Sequence, residues 1–118
     1  MSSTPKLQRA FVVFDLLIPR TDDRTGIVHA PAAFEGWVLE TSERFGGLTQ
    51  LGADLLGYWF DRGELVEDHS HWYRVAVRPE QVGELRAHVE ATARRFGQRC
   101  LYLQRSGDAE LVWARASE

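Results

Sequence analysis

The segment Phe11–Ile18 (FVVFDLLI) constrains this chain most: every side chain in it is apolar except Asp15. A short run rich in β-branched and aromatic residues, stopped by Pro19, reads as a strand, and a strand apolar on both sides must be covered on both. Successive side chains alternate between faces, so Val12, Phe14, Leu16 and Ile18 form one row. Phe11, Val13, Asp15 and Leu17 form the other. The first row has no polar member and is expected to meet helices; the second holds the strand's one charge.

Pro31 suits the first turn of a helix, where its missing N–H costs nothing, and Phe34, Trp37, Val38, Thr41 and Phe45 then share one helical face up to Gly46-Gly47. Leu48–Phe60 contains a second strand, best formed at Leu55–Phe60, with Asp61-Arg62-Gly63-Glu64 as a hairpin turn and Leu65–Val77 as the returning strand. Pro79 opens a second helix with Val82, Leu85, Val89, Ala93 and Phe96 on one face and Gly97 as its stop. Gln98–Arg105 is expected as a fourth strand, and Ser106-Gly107-Asp108 as a turn into a short extra strand, Glu110–Trp113. This order predicts an α+β, ferredoxin-like βαββαβ fold with an extra C-terminal β-strand. Its antiparallel sheet would be ordered 4-1-3-2, with both helices on one face. Residues 1–10 read as a flexible arm, 11–114 as a single domain, and 115–118 as a frayed tail.

The chain's 118 residues, 44% apolar and 26% charged, match one globular core rather than a disordered or fibrous chain. A net charge of -3 offers no general attraction to phosphate backbones or anionic lipid, so neither nucleic acid nor membrane is expected as a partner. One cysteine permits no intrachain disulfide, and no stretch has the length and apolarity of a signal or spanning segment. The cytoplasm is the expected compartment.

The helix-free face of the expected sheet is too apolar to stay wet. On the third strand, Tyr73, Val75 and Val77 form the core row, which leaves Trp72, Arg74 and Ala76 beside Asp15. A contiguous apolar patch of this kind is normally covered, and a homodimer packing sheet against sheet is the expected cover. The C-terminal strand or the 19–30 segment folding over the face is the alternative.

Asp15 and Arg74 fall on neighbouring strands and can form a bidentate pair. As a structural ion pair they hold the face together; as a site, Asp15, Trp72 and Arg74 would bind a ligand there. An enzyme reading instead has Asp15 titrating upward as general acid or base, with Arg74, Tyr73 and His71 acting on a small organic substrate. His69 and His71, two apart on a strand with Glu67 in the same row, are the weak candidate for a metal. No cofactor motif is present, and neither phosphate cradle nor RNA-binding signature accompanies the aromatic residues. His88 is expected on the solvated flank of the second helix, and Cys100 as a buried, inert thiol.

Arg44-Phe45-Gly46-Gly47-Leu48-Thr49, Gly57-Tyr58-Trp59 with Gly63, and Phe96-Gly97-Gln98 running into Leu101-Tyr102 resemble small bacterial ferredoxin-like domains of unknown function over residues 11 to 105. The hairpin from Tyr58 to Asp68 is also similar to that of CutA, the divalent-cation-tolerance protein, a trimer-forming relative of the PII signalling fold. The first resemblance implies the fold and no activity, and the second a metal-responsive protein; the apolar open face itself makes a non-catalytic oligomer binding a small ligand or partner there the first reading. A cofactor-free enzyme of the dimeric α/β-barrel kind is the remaining reading, and neither resemblance assigns a catalytic residue.

Overall fold

The computed structural model describes residues 10–114. Its elements are β1 (Ala10–Pro19), α1 (Pro31–Phe45), β2 (Thr49–Asp61), β3 (Glu64–Val77), α2 (Val82–Arg95) and β4 (Tyr102–Glu110). The sheet is ordered β2-β3-β1-β4, every neighbouring pair antiparallel. No helix among the described residues is long and apolar enough to cross a membrane.

The period of two sorts the strands as the sequence implies. Val12, Phe14, Leu16 and Ile18 of β1 join Tyr73, Val75 and Val77 of β3 in one buried cluster. Phe34, Trp37 and Phe45 of α1, Leu85 and Val89 of α2, and Phe96 complete it. Burying side chains of this size stabilises by about 1.5–3 kcal/mol each, which makes this cluster the main source of fold stability.

Between the helices runs a buried polar chain. Trp37 Nε1 donates to Thr92 Oγ1 at 2.8 Å, and Thr92 Oγ1 donates to the His88 carbonyl at 2.7 Å. Thr41 Oγ1 lies 2.9 Å from His88 Nε2. His88 is 5% exposed, not the solvated flank residue expected. The helical period itself puts His88 there, since Leu85, His88, Val89, Thr92 and Ala93 fall at i, i+3, i+4, i+7 and i+8 on the buried face, and only the polarity of its ring points to solvent.

Pro79–Gln81 forms a 3₁₀ turn before α2, so the helix proper opens at Val82 rather than at Pro79. The Gln81 side chain accepts from the Arg78 backbone N–H at 3.0 Å, satisfying a donor the first turn cannot use. At the β2–β3 turn, Arg62 and Gly63 have φ of 55° and 83°, the pair of positive values that matches strand twist in a two-residue hairpin.

The C-terminal region corrects the sequence reading. Gln98–Leu101 is a connection, and β4 runs Tyr102–Glu110 straight through Ser106-Gly107. Val13 pairs with Gly107 and Phe14 with Arg105, leaving Ser106 as an extra residue in a bulge. Small and turn-prone residues serve a bulge as well as a turn, so the extra strand Glu110–Trp113 does not form, and residues 111–114 have no regular structure.

β2 and β3 outrun their neighbours. β1 pairs with β3 only from Ser70 to Val77, so Glu64–Asp68 has β2 as its sole ladder partner. This two-stranded ribbon exposes Leu56, Tyr58, Phe60 and Leu65, and the molecule extends 59 × 28 × 22 Å.

Candidate functional site

On the face of β1 turned away from the core cluster, Asp15 stands directly opposite Arg74 in the ladder. Arg74 Nε donates to Asp15 Oδ1 at 2.7 Å and Arg74 Nη2 to Oδ2 at 3.0 Å, a bidentate pair. Trp72 Nε1 adds a third donor to Oδ2 at 3.1 Å. These bonds, the one from Arg74 foremost, hold the Asp15 carboxyl below its ordinary range against the opposing effect of burial. Asp15 is therefore a fixed anion, and the expected upward titration is corrected. Val13 beside it is buried, while Phe11, Leu17 and Trp72 are half-buried, so the centre of this face is less bare than its composition implies.

Tyr73 and His71 do not join this pair. Strand alternation sends them to the opposite side: Tyr73 is 1% exposed in the core, and His71 stacks on Phe34 with ring centroids 3.8 Å apart. Burial pushes the Tyr73 hydroxyl up to about 12 and holds His71 below the usual histidine range, with Arg20 adding to the latter effect. Gln50 Nε2 donates to His71 Nδ1 at 3.2 Å, and the Tyr73 hydroxyl lies 3.1 Å from the same nitrogen. The four candidate catalytic residues thus occupy two faces of one sheet.

His69 donates from Nδ1 to Asp54 Oδ1 at 2.7 Å, and Arg20 Nη1 donates to the same oxygen at 3.0 Å. Among the described residues no three or more His, Cys, Asp or Glu side chains come together as a metal-holding group, so Glu67, His69 and His71 share a row without forming a ligand set.

The concavity of the open face lies further along the strands. A pocket of about 640 Å³ opens between the inner ribbon and the connection before β4. Leu17, Leu55, Trp59, Leu101 and Tyr102 supply its apolar wall, and Asp15 and Arg74 are not part of its lining. Its polar residues are ordered by one another. Trp59 Nε1 donates to Asp68 Oδ2 at 2.6 Å. Arg99 Nε donates to Asp23 Oδ2 at 2.9 Å, its Nη2 lies 3.7 Å from Asp61 Oδ2, and its guanidinium sits 5.9 Å from the centre of a Trp59 ring. The hydrogen bond to Asp23 raises the Arg99 pKa above its ordinary value, keeping it cationic.

Gly97 sets this geometry. It takes φ of 65°, and a Cβ there would fall 1.9 Å from Asp22 Oδ2. The 19–30 segment can therefore close on the end of α2, where Asp23 N–H donates to the Gly97 carbonyl at 3.0 Å and Gln98 Nε2 donates to the Thr21 carbonyl at 2.7 Å. That closure brings Asp23 to Arg99. Cys100, expected to be buried, is exposed on the pocket wall because its segment is a connection and not a strand.

Sequence reasoning missed Asp68, Arg99, Asp61 and Asp23 as neighbours. Strand periodicity could have placed Leu55, Trp59 and Asp68 on one face, but Arg99 and Asp23 arrive from two irregular connections that carry no period.

No protein-family model matches the chain, and no curated protein matches it in sequence. Among solved structures, a divalent cation tolerance protein, Cut A1, from Thermus thermophilus matches with a TM-score of 0.57 at 13% identity. The match covers 89% of this chain and 86% of that one. The chain has a CutA1-like α+β fold, and at this identity the likeness extends to the fold alone.

Proposed function

We propose that this chain is a ferredoxin-like binding protein, both helices on one side of its sheet, that forms a homodimer and takes a small ligand at its open sheet face. The observation that carries the reading is the pocket of about 640 Å³, within the ~300–1,000 Å³ range of small-molecule sites and walled by Leu17, Leu55, Trp59 and Tyr102. The Asp15–Arg74 pair beside it acts as a rigid support: a carboxylate held ionised by a bidentate guanidinium is poorly matched to proton transfer near neutral pH. Self-association is supported by the exposed side chains of Leu56, Tyr58, Phe60 and Leu65, which share one face of the ribbon.

The test uses the neutral apolar fluorophore N-phenyl-1-naphthylamine. The expected result is saturable binding at one site per chain, weakened about tenfold or more by Trp59→Ala, since a deleted aromatic wall costs about 1.4 kcal/mol or more. Absence of saturable binding, or equal binding by a folded Trp59→Ala variant, overturns the reading. A second reading, response to a divalent metal, draws on the fold likeness to Cut A1, with His69 and Asp54 at 2.7 Å as the nucleus of a site. Metal titration of the protein against the His69→Ala/His71→Ala double variant tests it, and equal binding by the two removes it.

A further inference from the structure

The proposed ligand site has a charge pattern that specifies what it admits, an inference that rests on the pocket being a ligand site at all. Its lining carries three carboxylates, Asp23, Asp61 and Asp68, against one guanidinium, Arg99. Arg99 is committed: Asp23 holds Nε at 2.9 Å and Asp61 faces Nη2 at 3.7 Å. An anion entering the pocket would have to displace one of these carboxylates or accept them as neighbours. Asp68, by contrast, uses one oxygen as acceptor for Trp59 Nε1 and forms no ion pair with a cation among the described residues. The walls around it are π-faces and aliphatic side chains, Trp59, Tyr102, Leu17 and Leu55. A cation over such rings gains about 0.5–2 kcal/mol, more as water is excluded. The chain already uses this chemistry internally, with the Arg99 guanidinium seated against Trp59.

We propose that the pocket selects lipophilic organic cations: compounds whose bulk is apolar or aromatic and whose positive charge is shielded, as in quaternary ammonium or phosphonium ions. The apolar walls take the body, and Asp68 with the electron-rich ring faces takes the charge. Small hydrated metal ions lack the apolar body and anionic amphiphiles have the wrong sign.

Tetraphenylphosphonium and tetraphenylborate, near-identical in shape and opposite in charge, test this directly. Calorimetric titration of the full chain at moderate salt should show tetraphenylphosphonium binding about tenfold or more tightly than tetraphenylborate. Asp68→Asn keeps an acceptor for Trp59 Nε1 and removes the charge. It should weaken tetraphenylphosphonium about three- to tenfold while leaving N-phenyl-1-naphthylamine unchanged. Asp61→Asn releases one side of Arg99 and should move selectivity toward the borate. Equal or stronger binding of the borate by the unaltered chain, or tetraphenylphosphonium affinity untouched in both variants, overturns the charge assignment while the neutral probe still fills the pocket. Failure of the neutral probe as well removes the ligand site with it.

Discussion

Two stretches of the same hairpin behave as different materials. From Ser70 to Val77, β3 lies between β2 and β1 and sends Tyr73, Val75 and Val77 into a cluster closed by two helices. From Glu64 to Asp68 its ladder partner is β2 alone, and the side chains that would have been core, Leu56, Phe60 and Leu65, are exposed. Glu64–Asp68 carries three carboxylates and Ser70–Val77 none, yet Leu56, Phe60 and Leu65 are as apolar as the core row. What separates them is whether a third strand and a helical layer arrive, because a two-stranded ribbon cannot bury either of its faces alone. The pocket sits at the junction, where the rigid half supplies Leu17 and Ser70 and the ribbon supplies Trp59 and Asp68. A ligand binding there would touch both the four-stranded sheet and the two-stranded ribbon.

The largest effect that can sharpen this contrast lies in the rigid half. Trp37 is 2% exposed, packs against Tyr73 with ring centroids 4.9 Å apart, and donates to Thr92. Trp37→Ala should cost about 3–5 kcal/mol in chemical denaturation, with a cavity left behind and Thr92 Oγ1 stripped of its donor. A loss below about 1 kcal/mol would mean that the two helices and sheet do not fold as one core.

An intermediate effect comes from pH, again through the rigid half. Burial, reinforced by Arg44 and Arg95 and opposed by Glu40 and Glu84, holds His88 below the ordinary histidine value of 6.5. The unfolded chain then takes up a proton before the folded chain does, so stability is complete above 6.5 and declines as pH falls below it. His71, also held low by burial, adds in the same direction. Asp15 acts in a lower window: its depressed carboxyl stabilises the fold above the ordinary 3.8 and that contribution is lost as pH falls further. The melting temperature should fall with acidification below 6.5, and His88→Gln should flatten the part of that slope His71 does not carry. An unchanged slope in His88→Gln would show that the imidazole protonates without cost where it lies between α1 and α2.

The rigid half is legible in the sequence and the site mostly is not. Strand alternation from Val12 to Ile18 and from Tyr73 to Val77 marks the core rows, and strand order with parity puts Asp15 and Arg74 on neighbouring strands of one face, while their direct opposition is set by the register. Chemistry alone groups Tyr73 and His71 with Asp15, although their parity places them on the other face. Ser106-Gly107 carries one composition for two structures, a turn and a bulge, and only pairing with Val13 and Phe14 decides between them. The Arg99 cluster depends on Gly97 taking a positive φ so that Asp23 can approach, a long-range condition that no local pattern encodes.

The smallest thermodynamic effect belongs to the ribbon. Phe60 is 73% exposed and pairs across the ladder with Leu65, also exposed. Replacing both with serine removes no buried contact, so the unfolding free energy of the isolated chain should change by about 0.5 kcal/mol or less. Solution mass by light scattering is the more sensitive readout. If a second copy covers these side chains, Phe60→Ser/Leu65→Ser should shift the dimer toward monomer, because at about 25 cal/mol per Å² even two exposed apolar side chains represent a substantial share of a modest interface. A dimer unaffected by the double substitution would move the contact away from the ribbon tip toward the sheet around Leu17 and Trp72. A large loss of chain stability would instead mean that the ribbon is integral to the fold, and the distinction between the two halves of the hairpin would collapse.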